Sequence, residues 1–152
     1  MLSHKVLTRQ DVGDAAGYYE DGADDYYAQE GEASAWQGKG AEALGLTGAV
    51  DSKRFRELLS GEVQPGIAIT RDGTRKDSKS RLGIDLTFSA PKSVSLQALI
   101  GGDVEIIKAH DRAVARALEH AEERAQARKK VDGRSQVETT GNLVVAKFRH
   151  ET

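Results

Sequence analysis

Four tyrosines occur in this chain, and all of them fall in two adjacent pairs, Tyr18-Tyr19 and Tyr26-Tyr27. A phenol can act as a nucleophile, but its ordinary pKa of about 10 means that it needs a base or a nearby positive charge at neutral pH. Tyr18 falls with Asp11 and Asp14 on the polar side of an expected helix, which keeps its hydroxyl available. Tyrosines also stack at domain surfaces with no chemical task, so the pairs alone leave both readings open. Asp85 lies in a stretch where Ile84, Leu86 and Phe88 point one way and Asp85 and Thr87 the other. A carboxylate there is exposed, paired or catalytic, because an unpaired buried charge is costly. As a working group it can orient a histidine or accept a tyrosine proton. His150 follows the last apolar stretch, but a catalytic metal usually takes about three protein ligands. His4, His110 and His120 form no ligand pattern with it.

Two further stretches suit phosphate. Ser89-Ala90-Pro91-Lys92-Ser93 can present amides, hydroxyls and a lysine at a helix N-terminus. Between Arg71 and Arg81 there are 5 basic residues (Arg71, Arg75, Lys76, Lys79 and Arg81) against 2 acidic ones. The net charge of -2 hides an asymmetry: up to Val50 there are 3 Lys/Arg against 9 Asp/Glu, and from Asp51 onward 19 against 15. Local basic stretches bind phosphates even on an acidic protein. An ordinary capped helix and a solvated loop explain the same two stretches.

The elements that must position these residues follow from periodicity. A first strand is expected near residues 4–7, and Thr8-Arg9-Gln10-Asp11 resembles a capping box opening a helix with Val12, Ala15, Ala16 and Tyr19 on one stripe. A loop rich in Asp, Glu, Gly and Ala then runs to about Val50. Asp51 or Ser52 can cap a short helix ending at Leu59, before Ser60-Gly61. Residues 82–88 form the clearest strand, and Pro91 suits the first turn of the helix after it. Gly101-Gly102 breaks the chain. A long amphipathic helix is expected over residues 103–130, with Ile107, Val114, Leu118 and Ala121 inward. After Asp132-Gly133 a strand is expected over 137–149, apolar on both faces at Leu143-Val144-Val145-Ala146. The class is α+β, with no βαβ rhythm.

With 152 residues the chain suits one compact domain, and 38% hydrophobic with 30% charged residues is ordinary globular composition. Without cysteine there is no disulfide framework and no thiolate metal site. No apolar run approaches a membrane span and the first residues form no export signal, so a cytoplasmic protein with no membrane insertion is expected.

Several separated motifs in order carry a resemblance. They are the opening Met1-Leu2-Ser3 through Gln10-Asp11, the block from Tyr18 through Tyr27, Asp85-Leu86-Thr87-Phe88-Ser89-Ala90-Pro91-Lys92-Ser93-Val94-Ser95, Gly141-Asn142-Leu143-Val144 and Phe148-Arg149-His150-Glu151-Thr152. Together they resemble the MobF-type conjugative relaxases, the TrwC/TraI group. The resemblance implies a palm-like antiparallel sheet with helices packed on it, as in His-x-His rolling-circle nucleases. It implies site- and strand-specific nicking at a plasmid transfer origin through a 5′-phosphotyrosyl intermediate. Tyr18 would then be the nucleophile, Tyr26 the second tyrosine used in strand transfer, and Asp85 the acid that supports the metal histidines and takes the tyrosine proton. His150 would be the first of three histidines holding a divalent cation such as Mg²⁺ or Mn²⁺.

Charge and placement nominate Arg75, Lys76, Arg81, Lys92 and Arg149 for DNA contacts. The implied partners are single-stranded and hairpin origin DNA, with relaxosome accessory proteins and a coupling protein for a longer parent. The family's other two metal histidines lie in a His-x-His element beyond Thr152. Residues 1–152 are therefore expected to be the N-terminal part of one relaxase domain, without the remaining part or a helicase domain. On that basis a fragment that binds origin DNA without cutting it is the alternative function, and an interaction domain of the relaxosome is a third.

Overall fold

The structure, a computed structural model, describes residues 1–8, 34–68 and 81–149. Strand β1 spans Leu2–Thr8, β2 Ser34–Gln37, and helix α1 Lys39–Ala43. Helix α2 spans Ser52–Leu59, followed by the short strands β3 (Glu62–Gln64) and β4 (Ile67–Ala68). Strand β5 spans Arg81–Phe88, then helices α3 (Lys92–Leu99) and α4 (Val104–Glu123). The last strands are β6 (Gln126–Val131), β7 (Arg134–Thr139) and β8 (Val145–Phe148). The class is α+β, as expected. The described strands pair as antiparallel two-stranded sheets, β1 with β5, β2 with β8, β3 with β4 and β6 with β7.

In the β1–β5 pair, Leu2 faces Phe88, His4 faces Leu86 and Val6 faces Ile84, so these six side chains share one face. Ser3 opposite Thr87 and Lys5 opposite Asp85 lie on the other. The alternation read from the sequence is therefore present. Its apolar face stays open among the described residues, with Leu2 at 59% and Ile84 at 64% exposure.

Helix α2 starts where expected: the Asp51 carboxylate accepts from the Arg54 backbone N–H at 2.7 Å. Its Phe55 meets Phe148 of β8 edge to face, ring centroids 5.3 Å apart. Gly101 and Gly102 do separate α3 from α4, and Gly102 takes φ +67°, which favours glycine.

Three expectations need correction. The loop running to Val50 contains β2 and α1. The long helix ends at Glu123 rather than near 130, and residues 126–131 form a strand. The strand expected over 137–149 is two strands, β7 and β8, and Val144 is exposed. The cause of the second error is the Asp132-Gly133 turn. Both residues have positive φ, +49° and +75°, which is the two-residue turn whose twist matches a right-handed hairpin.

On α4, Ile107 and Val114 are half-buried and Leu118 is buried, but Ala121 is exposed and Glu122 is buried instead. Glu122 is 8% exposed, and one carboxylate oxygen accepts from the backbone N–H groups of Lys39 at 2.7 Å and Leu143 at 2.9 Å. Lys39 is the first residue of α1, whose N-cap is Gly38 with no capping side chain. A carboxylate from a distant helix thus satisfies a donor that the local sequence leaves orphaned. Gly38 has φ +104°, and a Cβ on Gly40 would stand 2.4 Å from the Asn142 Oδ1. Gly40 also donates its N–H to the Leu143 carbonyl at 2.9 Å. Nearby, the Gln37 side-chain amide donates to the Ala115 carbonyl of α4 at 3.0 Å, which ties the β2–β8 pair to the same helix. Among the described residues no helix is long and apolar enough to cross a membrane.

Candidate nucleic-acid interface and catalytic strand

Asp85 lies mid-strand in β5, exposed, with Lys5 directly opposite and the Ser3–Thr87 pair beside them. Opposed Cβ atoms in such a ladder are about 5 Å apart, so an ammonium, a carboxylate and two hydroxyls form one polar block. Tyr18, Tyr26, His150, Arg75 and Lys76 lie outside the described residues.

The remaining expected DNA contacts do not form a single patch. Arg81 opens β5 opposite Thr8, exposed. Lys92 begins α3, past the other end of the same strand, roughly 20 Å or more away at strand rise. The N-terminal ammonium of Met1 donates to the Ser89 carbonyl at 2.5 Å, and the Ser89 N–H donates back to the Met1 carbonyl at 2.8 Å. The chain start is thereby fixed just ahead of α3. Pro91 occupies the N-cap of α3 and no side chain caps the helix. Arg149, just after β8, donates to Asp111 of α4 at 3.0 Å, and its Nε is buried without a partner among the described residues. That guanidinium is partly engaged by the protein itself.

The hairpin of β6 and β7 is the cationic feature that sequence reasoning missed. Arg128 stands opposite Val137, Lys130 opposite Ser135 and Gln126 opposite Thr139, all on one face. Every one of these side chains is exposed, and the face has no carboxylate. The other face sets Lys129 against Glu138 at 2.6 Å. That hydrogen bond and the adjacent positive charge hold the Glu138 carboxyl below its usual range. Asp132-Gly133 between two strand-compatible runs was the available signal. Gln, Arg and Lys are good helix formers, and that propensity favours continuing the helix through these residues.

No group of three or more potential metal ligands occurs among the described residues. Asp85 is the acid they contribute to the expected set.

The described residues thus form an α+β scaffold that presents a polar strand bearing Asp85 and a cationic two-stranded ribbon. Residues 12–152 match the TrwC relaxase family. The multifunctional conjugation protein TraI of Escherichia coli is 46% identical over 154 residues, covering 100% of this chain and 8% of that protein. TraI of strain K12 is 46% identical over 143 residues, again covering 8% of its length. Among solved structures, a copper-bound complex of the conjugative relaxase TrwC with oriT DNA superposes with TM-score 0.84 at 74% identity, covering all of this chain and 52% of that one. TrwC bound to a 27-mer comprising the recognition hairpin and the cleavage site superposes with TM-score 0.82 at 66% identity, the match covering 50% of it. The chain belongs to the TrwC relaxase family. It spans about half of the solved relatives and a small fraction of the curated ones.

Proposed function

We propose that this chain carries the N-terminal part of a relaxase that nicks and rejoins one DNA strand at a transfer origin. The observation that carries the reading is Asp85, displayed mid-strand on the polar face of β1–β5 within a chain of this family. In the proposed step the Tyr18 hydroxyl oxygen attacks the scissile phosphorus while its proton passes to Asp85. The bond from phosphorus to the 3′ oxygen breaks, the 3′ oxygen leaves as a hydroxyl after taking up a proton, and a 5′-phosphotyrosyl ester remains. One phosphodiester is exchanged for another, so religation needs no external energy source. Tyr26 would serve the second transfer. His150 would contribute to holding a divalent cation, which when bound neutralises charge on the phosphate. Mg²⁺ and Mn²⁺ are the candidates, and the copper-bound TrwC complex supports a divalent site in the family.

The test is a denaturing gel of the protein incubated with a labelled single-stranded 27-mer of the hairpin-plus-cleavage-site kind that TrwC binds, with and without Mg²⁺ or Mn²⁺. From the full-length protein a metal-dependent protein-linked band that vanishes in Tyr18→Phe is expected. An adduct formed at normal rates by Tyr18→Phe would overturn the nucleophile assignment.

A second reading, DNA binding without cleavage, is favoured by the Arg128 and Lys130 face of the hairpin. A two-stranded ribbon fits the major groove of a duplex, so the stem of an origin hairpin is the proposed occupant. Relaxosome accessory proteins, a coupling protein and a cytoplasmic setting belong to the same proposal for the longer parent.

A further inference from the structure

We infer that Lys5 contacts the scissile phosphate and is a DNA-binding member of the Asp85 site. The inference rests on the reading of Asp85 as the catalytic acid. The register places Lys5 directly opposite Asp85 on the polar face, with Ser3 and Thr87 as the adjacent pair. Both Lys5 and Asp85 are exposed.

The physical need for a cation there is direct. A carboxylate that takes a proton from a tyrosine attacking a phosphodiester must work a few ångströms from an anion, and two like charges at that range repel. A lysine on the neighbouring strand offsets the repulsion while leaving the carboxylate free to accept a proton. Its stem has four carbons and a compact, mobile ammonium, which suits a point contact to a phosphate oxygen beside the acid. Alternation matters as well. His4 and Val6, the neighbours of Lys5, sit on the opposite face with Leu86 and Ile84, so in β1 only Lys5 brings a side-chain positive charge to this block. A pairing role alone, Lys5 stabilising the two-stranded ladder across from Asp85, is the competing explanation, and it makes a different prediction.

The experiment compares wild type, Lys5→Met, Lys5→Arg and Asp85→Asn in the full-length protein. Each is tested for binding to two versions of the 27-mer, one natural and one with a neutral methylphosphonate at the scissile linkage. For the natural DNA, Lys5→Met is expected to weaken binding roughly tenfold and Lys5→Arg to restore most of it, as for a lost charge-assisted contact. For the methylphosphonate DNA, wild type and Lys5→Met should bind equally, because the charge that Lys5 meets is gone. Unchanged binding of natural DNA by Lys5→Met, or an equal loss on both DNAs, would overturn the inference. Melting temperatures of the variants show whether the ladder itself has weakened. Asp85→Asn separates the two readings: normal adduct formation by that variant removes Asp85 from catalysis, whereas the methylphosphonate comparison judges Lys5 alone.

Discussion

Glu122 illustrates how one side chain can hold together parts of the chain remote in sequence. Its oxygen is shared between the first amide of α1 and the amide of Leu143, and Gly38 and Gly40 are glycines because that approach leaves no room for a Cβ. Removing the carboxylate would leave two part-buried N–H groups without that acceptor, each costing about 1–3 kcal/mol. Glu122→Ala should therefore lower the unfolding free energy by about 3 kcal/mol in a denaturant titration. Glu122→Gln keeps an acceptor oxygen in the same place and should lose about 1 kcal/mol. Equal losses in the two variants would mean that the carboxylate charge, not its acceptor geometry, is what matters. Nothing in the local sequence announces this residue. Periodicity assigned the inward position to Ala121, and a glutamate is an improbable core residue until its backbone partners are known.

At the scale of elements, legibility followed how local the determinants were. Helix α2 was readable because Asp51 caps it within three residues, and β5 because its alternation is self-contained. Strand β2 and helix α1 were not, since both depend on partners about a hundred residues away, Phe148 to Val145 for β2 and Glu122 with Leu143 for α1. The β6–β7 hairpin was legible in principle through Asp132-Gly133 but lost to the helical propensity of its residues.

Two predictions belong to this hairpin. If Arg128 and Lys130 meet phosphates, each alanine variant should weaken DNA binding across sequences and flatten the plot of log affinity against log salt by about one. An unchanged slope in both variants would remove the ribbon from the interface. On the opposite face, the depressed Glu138 carboxyl favours the folded hairpin at pH values above the ordinary glutamate range. That contribution disappears as the pH falls through the folded-state value. An NMR titration should find Glu138 below an ordinary glutamate, and Lys129→Gln should return it to the usual range.

At the scale of the whole molecule, the candidate site is only partly legible. Motif order along the chain identified the family and nominated Tyr18, Tyr26, Asp85 and His150, and the described structure gives Asp85 its strand and its neighbours. Pairing between strands, which no one-dimensional reading supplies, added Lys5 to that group and separated Arg81 from Lys92. It also redirected Arg149, whose charge is shared with Asp111. The described residues bury few large apolar side chains: Ala41, Ala98 and Leu118 are the hydrophobic residues enclosed, while Leu2, Ile84, Leu99, Ile100 and Val104 stay open.

The ribbon's hydrogen bonds run between its own two strands and, at the base, from Thr140 and Gly141 to the Ala125 carbonyl. Almost none of its side chains is enclosed. Substitutions along β6 and β7 therefore remove little buried surface, so most would leave the stability of the rest of the protein nearly unchanged. If the ribbon holds DNA as proposed, a lineage can alter what this arm grips while the strand bearing Asp85 stays as it is. Target preference and cleavage chemistry can then diverge on separate evolutionary clocks.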